Sequence, residues 1–185
     1  MDLFTAIKER RSVRKYKSNP VPDDILAQIL EAARLAPSWA NTQTWRFIVV
    51  KDQAIKAKLS ETMGATNPAK SAFLDAPVLI CCAAQRGVAG FHGGQPRTDK
   101  GDWFMFDAGI AMEHLALAAW SFGLGTVHVG SFDAKMAEEI LKVPEGYSMV
   151  SMTPLGYFET APDARPRKPL HEIVYSNSFG EPYTK

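Results

Sequence analysis

What the 185-residue chain has least of is net charge: 21 lysines and arginines stand against 20 aspartates and glutamates, a formal +1. So balanced a chain argues against nucleic acid, which needs a long basic stripe with interleaved aromatics. Cysteine is nearly absent, and the two present, Cys81 and Cys82, are adjacent. Neighbours in an extended segment point to opposite faces, so no disulfide is expected between them and both read as reduced, buried, small hydrophobes. Long apolar runs are missing too. The longest, AGIAMEHLALAAWSFG from Ala108 to Gly123, carries Glu113 and His114 and falls short of the roughly 20 apolar residues of a membrane span. No charged leader with an apolar core and a small-residue cleavage site opens the chain. MDLFTAIKER reads as a helix start, so a cytoplasmic address is expected, with no membrane partner.

The usual catalytic signatures are missing as well. His92, His114, His128 and His171 fall in no metal-ligand spacing, and HEIVY lacks the second histidine of a zinc-protease helix, so no metal is expected. No serine sits in a GxSxG turn, and neither cysteine has a charged neighbour to lower its pKa. There is no P-loop. GLGTVHVG matches a dinucleotide fingerprint only loosely, because it follows a helix and its third glycine is misplaced.

What is present suits a globular fold: 46% hydrophobic residues and four tryptophans, expected to form a single domain over residues 1–185. Apolar spacing predicts a short helix over 2–9 capped by Asp2, and a second from Asp23, capped there, until Pro37 stops it. WRFIVVK (45–51) and PVLICCAA (77–84) read as strands, the second without a polar face and therefore central. DQAIKAKLSETM between them is amphipathic. Residues 85–101 hold five glycines and read either as a mobile flap bordering a site or as a plain surface loop. A helix over 102–122, a short helix over 133–141 and a strand over 147–157 complete an α+β pattern, with a Pro- and Arg-containing tail. The 102–122 helix is apolar on nearly every face and needs cover all round, which predicts a homodimer.

RRSVRK, residues 10–15, packs four positive charges into six positions of this balanced chain. Arg10, Ser12 and Arg14 share a face if extended, and Arg10 and Arg14 align if helical. Two guanidiniums flanking a hydroxyl are shaped for phosphate, while a merely solvated charged face is the plainer reading. Arg165, Arg167 and Lys168 form a second basic group. APSWANTQTWRF (36–47) sets Ser38, Asn41 and Gln43 beside two tryptophans. That suits a planar heterocycle with carbonyls and ring nitrogens, or else a capped turn with core tryptophans.

RRSVRKY, APSWANTQTWRF, DAGIAMEHLALAAWSFGLGTVHVG and PLGY followed by RPRKPL occur in an order that resembles the nitroreductase family of flavoproteins, from about residue 4 to about residue 180. The resemblance implies an α+β nitroreductase-like fold: a central, mostly antiparallel sheet flanked by helices, in an intertwined homodimer with one FMN in each of two interface clefts. By that likeness Arg10, Arg11, Ser12 and Arg14 face the flavin phosphate, ribityl chain and pyrimidine edge, and Arg165 and Arg167 complete the phosphate clamp. Pro37, Ser38, Asn41 and Gln43 reach across from the partner subunit, and Val129 and Gly130 lie along the ring with a backbone N–H aimed at its redox-active nitrogen. The implied activity takes hydride from NADH or NADPH and reduces a small organic acceptor such as a nitroaromatic or quinone by a ping-pong mechanism. No catalytic side chain is expected. A flavin-binding protein without turnover and a flavin-consuming or dehalogenating enzyme are the alternatives. Thr44 stands where many relatives have proline, and VGS (129–131) lacks an acidic residue that some subgroups place beside the flavin. Asn67 and Lys70, whose spacing to DAP (75–77) departs from the family pattern, stay outside the expected cofactor set.

Overall fold

In the computed structural model, which describes residues 1–183, four strands form one antiparallel sheet in the order β1 (Trp45–Val50), β2 (Val78–Gln85), β6 (Tyr147–Gly156) and β5 (Gly125–Thr126). β2 has no polar face, and each of its faces is covered. Val78, Ile80, Cys82 and Ala84 pack under α2 (Asp23–Arg34) and α5 (Phe104–Ser121). Leu79, Cys81 and Ala83 face the other core, which takes in residues of α3 (Gln53–Ser60), α4 (Lys70–Asp75) and α6 (Ala134–Leu141). The adjacent cysteines thus lie in different cores. Burial pushes both thiols up to about 12, where the thiolate is scarce at neutral pH.

Local chemistry explains the helix ends. α1 (Leu3–Glu9) starts where Asp2 accepts from the Thr5 amide, and α3 and α6 start at Asp52 and Asp133 in the same way. Asp23 is not the cap of α2 but its first residue. Its carboxylate favours the positive helix end and pairs with Lys51 at 2.6 Å. α2 also stops short of Pro37, because the proline disfavours helical geometry at Ala36. The stretch predicted as one amphipathic segment over 52–63 is helical only over α3, followed by turns and then α4.

Residues 85–101 are neither featureless nor free. β3 (Phe91–His92) and β4 (Gln95–Pro96) form a small hairpin whose turn, Gly93 and Gly94, needs positive φ at both positions (57° and 75°). Asp102 accepts from the Gly87 amide at 2.6 Å, and the Trp103 indole donates to Thr98 at 3.0 Å, tying the hairpin to the start of α5. No helix among the described residues is long and apolar enough to cross a membrane.

Gly125 is where β5 admits a neighbour: a Cβ there would meet Val13 side-chain atoms at 2.7 Å and Phe158 at 2.9 Å. Gly125→Ala should therefore overpack this contact and lower stability by about 1–3 kcal/mol, read as a reduced denaturant midpoint at unchanged slope.

Candidate functional site

The basic segment leaves α1 in extended geometry, and the Val13 amide donates to Thr126 O at 2.9 Å, a parallel bridge onto β5. Val13 is 1% exposed and packs with Ala6 and Trp120. With Val13 pointing in, the two-residue alternation sends Ser12 and Arg14 out. Arg14 borders a recess of about 130 Å³ together with Asn67, His128, Val129 and Gly130. Among the described residues its guanidinium makes one hydrogen bond, to Ser12 O at 3.2 Å, so most of its donors remain available.

The other two arginines are already engaged. Arg11 donates to the carbonyls of Lys8 and Arg10 at 2.8 and 2.9 Å, satisfying the C-terminal end of α1. Arg10 Nε lies 3.2 Å from Glu113 of α5, whose other oxygen is 3.9 Å from His128 Nε2. His128 Nδ1 is 2.9 Å from the Thr153 hydroxyl, so a polar chain runs from the basic segment through α5 to the loop after β5.

In that loop Val129 N–H is committed to Met152 O at 3.0 Å. The amide free to meet a ligand is that of Gly130, which has no acceptor among the described residues, and whose missing Cβ leaves open space on that side. Asn67 is brought to the same recess by the turn before α4. Its Oδ1 accepts from the Ala69 amide, and its Nδ2 lies 3.3 Å from Ser131 O. Lys70 pairs with Glu61 instead.

The loop from Ala36 to Thr44 carries its own geometry. Ala40, Asn41 and Gln43 all have positive φ (44°, 59° and 48°), a conformation that costs a non-glycine residue about 1–2 kcal/mol. Ser38 Oγ accepts from the Gln43 amide at 3.0 Å, and Gln43 Nε2 donates to Asn41 Oδ1 at 3.1 Å. Both oxygens of Asp107 receive the Trp39 amide, at 3.0 and 3.1 Å. None of Pro37, Ser38, Asn41 and Gln43 borders the Arg14 recess. Arg165 and Arg167 lie in the exposed tail, where Arg167 donates to Arg165 O.

One chain therefore gathers Arg14, Val129 and Gly130, adds Asn67 and His128, holds Arg10 one step away through Glu113, and leaves the 36–44 loop and the tail arginines elsewhere. The spacing of Asn67, Glu113 and His128 in the sequence carried no sign of this grouping. The turn before α4, α5 and the loop after β5 bring them together.

An antiparallel sheet between two helical layers, with a guanidinium that has donors to spare, a carboxamide and an open backbone amide around a recess, defines an α+β protein with a polar, donor-rich recess. The chain belongs to the nitroreductase family, whose model matches residues 7–72 and 64–157. A Thermus thermophilus protein named NADH dehydrogenase is 30% identical over 199 residues, covering 94% of this chain and 95% of the relative. Bacillus subtilis FMN reductase [NAD(P)H] is 30% identical over 190 residues, covering 96% and 74%. Among solved structures, an FMN-dependent nitroreductase of Clostridium difficile superposes with a TM-score of 0.79 at 30% identity, covering 95% of this chain and 99% of the other.

Burial pushes the Glu113 carboxyl up, but His128 and Arg10 outweigh it and hold the group below its ordinary 4.5. A carboxylate lowered in the fold stabilises above its unfolded pKa and loses that contribution as pH falls through the folded value. Glu113→Gln should flatten the acid arm of the stability curve, measured by urea unfolding from neutral to acid pH.

Proposed function

We propose that the protein is an FMN-dependent oxidoreductase that takes hydride from NADH or NADPH, in the cytoplasm, and passes it to a small organic acceptor such as a nitroaromatic or quinone in a ping-pong cycle. The observation that carries the reading is the uncommitted Arg14 guanidinium beside the free Gly130 amide, in a chain of this family. The donor set fits the cofactor: cationic donors for a phosphate or an electron-rich pyrimidine edge, an amide for a ring nitrogen, and open space where a flat ring approaches. FMN, when bound, supplies the hydride-accepting and hydride-donating chemistry.

Within this reading Arg14, Ser12, Gly130 and Asn67 hold the group directly. Arg14 at the pyrimidine edge favours the negative charge of the reduced form. Val129, its amide used by Met152, contributes apolar surface. Arg10 joins by exchanging Glu113 for an anion, whereas Arg11 chiefly shapes the segment. Pro37, Ser38, Asn41 and Gln43 act from a second copy, and Arg165 and Arg167 close on the phosphate from the tail.

Two observations support a second copy. A recess of about 130 Å³ is small beside the about 300–1,000 Å³ of ordinary ligand sites. In addition, Leu3, Phe4 and Ile7 of α1 and Met105 and Phe106 of α5 leave more than half of each side chain exposed, an apolar surface suited to a homodimer interface. Light scattering should return the mass of two chains, and a monomer would remove the shared cleft.

Purified protein should be yellow, and NADH or NADPH added without oxygen should bleach it, with nitroaromatics or quinones restoring the colour. Yellow protein that does not bleach would identify a flavin-binding protein without turnover. Reoxidation by a halogenated aromatic with release of halide would favour the dehalogenating alternative. Arg14→Ala removes charge-assisted bonds each worth about 1.5–3 kcal/mol. It should weaken FMN binding at least about tenfold and lower the flavin potential; unchanged values would refute that role.

A further inference from the structure

We infer that Asp107 is a positioning residue: from the first turn of α5 its carboxylate holds the 36–44 loop in the shape in which Ser38, Asn41 and Gln43 can meet a flavin. This rests on the function proposed above for that loop. Asp107 is 1% exposed, and both of its oxygens receive the same amide, Trp39 N–H. A buried carboxylate is costly unless it is hydrogen-bonded, and the hydrogen bonds of Asp107 lead to this loop. The Thr42 hydroxyl is also sealed from water. It makes no hydrogen bond of normal geometry, yet lies close enough to favour the charged form of Asp107.

The loop needs such a hold. Three of the four residues from Ala40 to Gln43 are non-glycine residues with positive φ, and the side-chain bonds among Ser38, Asn41 and Gln43 are internal to the loop. They brace it from within but leave its Trp39 end unsecured, while Arg46 of β1 donates to Gln43 O at the other end. The Trp39 end is held by the start of α5, in two ways. Asp107 takes the Trp39 amide, and the Trp39 ring lies against Trp103, the residue before α5, with ring centres 5.2 Å apart. Trp103 in turn meets Phe106 edge-on at 5.3 Å, and its indole anchors the 91–96 hairpin through Thr98. The helix N-terminus therefore carries the loop and the hairpin together.

Folding stability alone does not explain the charge. Burial, assisted by Asp102, holds the Asp107 carboxyl above its ordinary 3.8 despite the Trp39 bond. A raised carboxyl means the ionised group opposes folding: its favourable contribution exists below the unfolded value and is lost as pH rises through the folded one. A neutral isostere would remove that cost. It would also damage the grip, because with oxygens at 3.0 and 3.1 Å from one amide, an asparagine must set its NH₂ donor against the Trp39 donor or rotate to a single acceptor.

The test is Asp107→Asn in the full-length dimer, read by FMN titration of the apoprotein, by thermal unfolding of the apoprotein, and by the circular dichroism of the Trp39–Trp103 pair. The expected result is an apoprotein melting at or above the wild-type temperature, a diminished tryptophan signal and FMN binding about tenfold weaker. Unchanged FMN affinity overturns the inference. So does weaker binding accompanied by a proportionate fall in melting temperature, since that is a merely structural role. If wild-type protein binds no FMN, it is the proposed function that fails. The tryptophan signal then decides the positioning role alone: lost in the variant it stands, and kept it falls. Should Asp107→Asn not fold, Asp107→Ser, too short to reach the Trp39 amide, is read by FMN titration and the tryptophan signal alone: both are expected to fall, and either one kept overturns the inference.

Discussion

The contact on which the site depends is Val13 against Gly125. A side chain that points inward, onto a residue with no side chain of its own, brings the basic segment close enough for the Val13 amide to join β5. Once that register is set, Arg14 must point outward, and it does so beside the loop that continues from β5. Burial of one apolar residue thereby orients the cation that follows it in the chain, close to the open amide of Gly130.

The same segment shows how a nearly neutral protein tolerates four neighbouring positive charges. Arg11 is taken up by carbonyls at the end of α1, where the helix dipole is negative. Arg10 is balanced by Glu113, itself linked to His128. Local neutralisation of two members leaves Arg14 and Lys15 to face outward. The repulsion is thus dispersed among a helix end, a carboxylate and solvent, and the cation with donors to spare stands next to the Gly130 amide.

Much of the architecture was legible in the sequence because its signals are local. β2 could be assigned to the sheet centre from its lack of polar residues, and Asp2 precedes a helix it caps, whereas Asp23 proved to be the first residue of its helix. The ordered motifs gave the family as well. Features set by tertiary contacts were not legible. Nothing in the text of VHVGS says that the Val129 amide is used by Met152 across the sheet while that of Gly130 is free. Asn67 looked misplaced when measured along the chain, yet the turns between α3 and α4 carry it to the recess. The glycines of 85–101 left a flap and a plain surface loop both open, and nothing local showed that two of them make a hairpin turn or that Asp102 and Trp103 tie the segment to the start of α5.

The division of the candidate ligands between two regions of one chain has a physical logic. The recess lies beside the loop that follows β5, where the Gly130 amide is uncommitted and the missing Cβ permits close approach. The 36–44 loop sits at the head of α5, where a buried carboxylate and a tilted pair of indoles can sustain backbone geometry that three non-glycine residues would not adopt alone. Strain of that kind persists only where surrounding structure imposes it, and here the hold comes from Asp107 and Trp103 at the start of α5. The loop so shaped presents polar side chains that do not border the recess of its own chain. In the dimer proposed above, each copy would lend a rigid loop to a site whose charge the other provides.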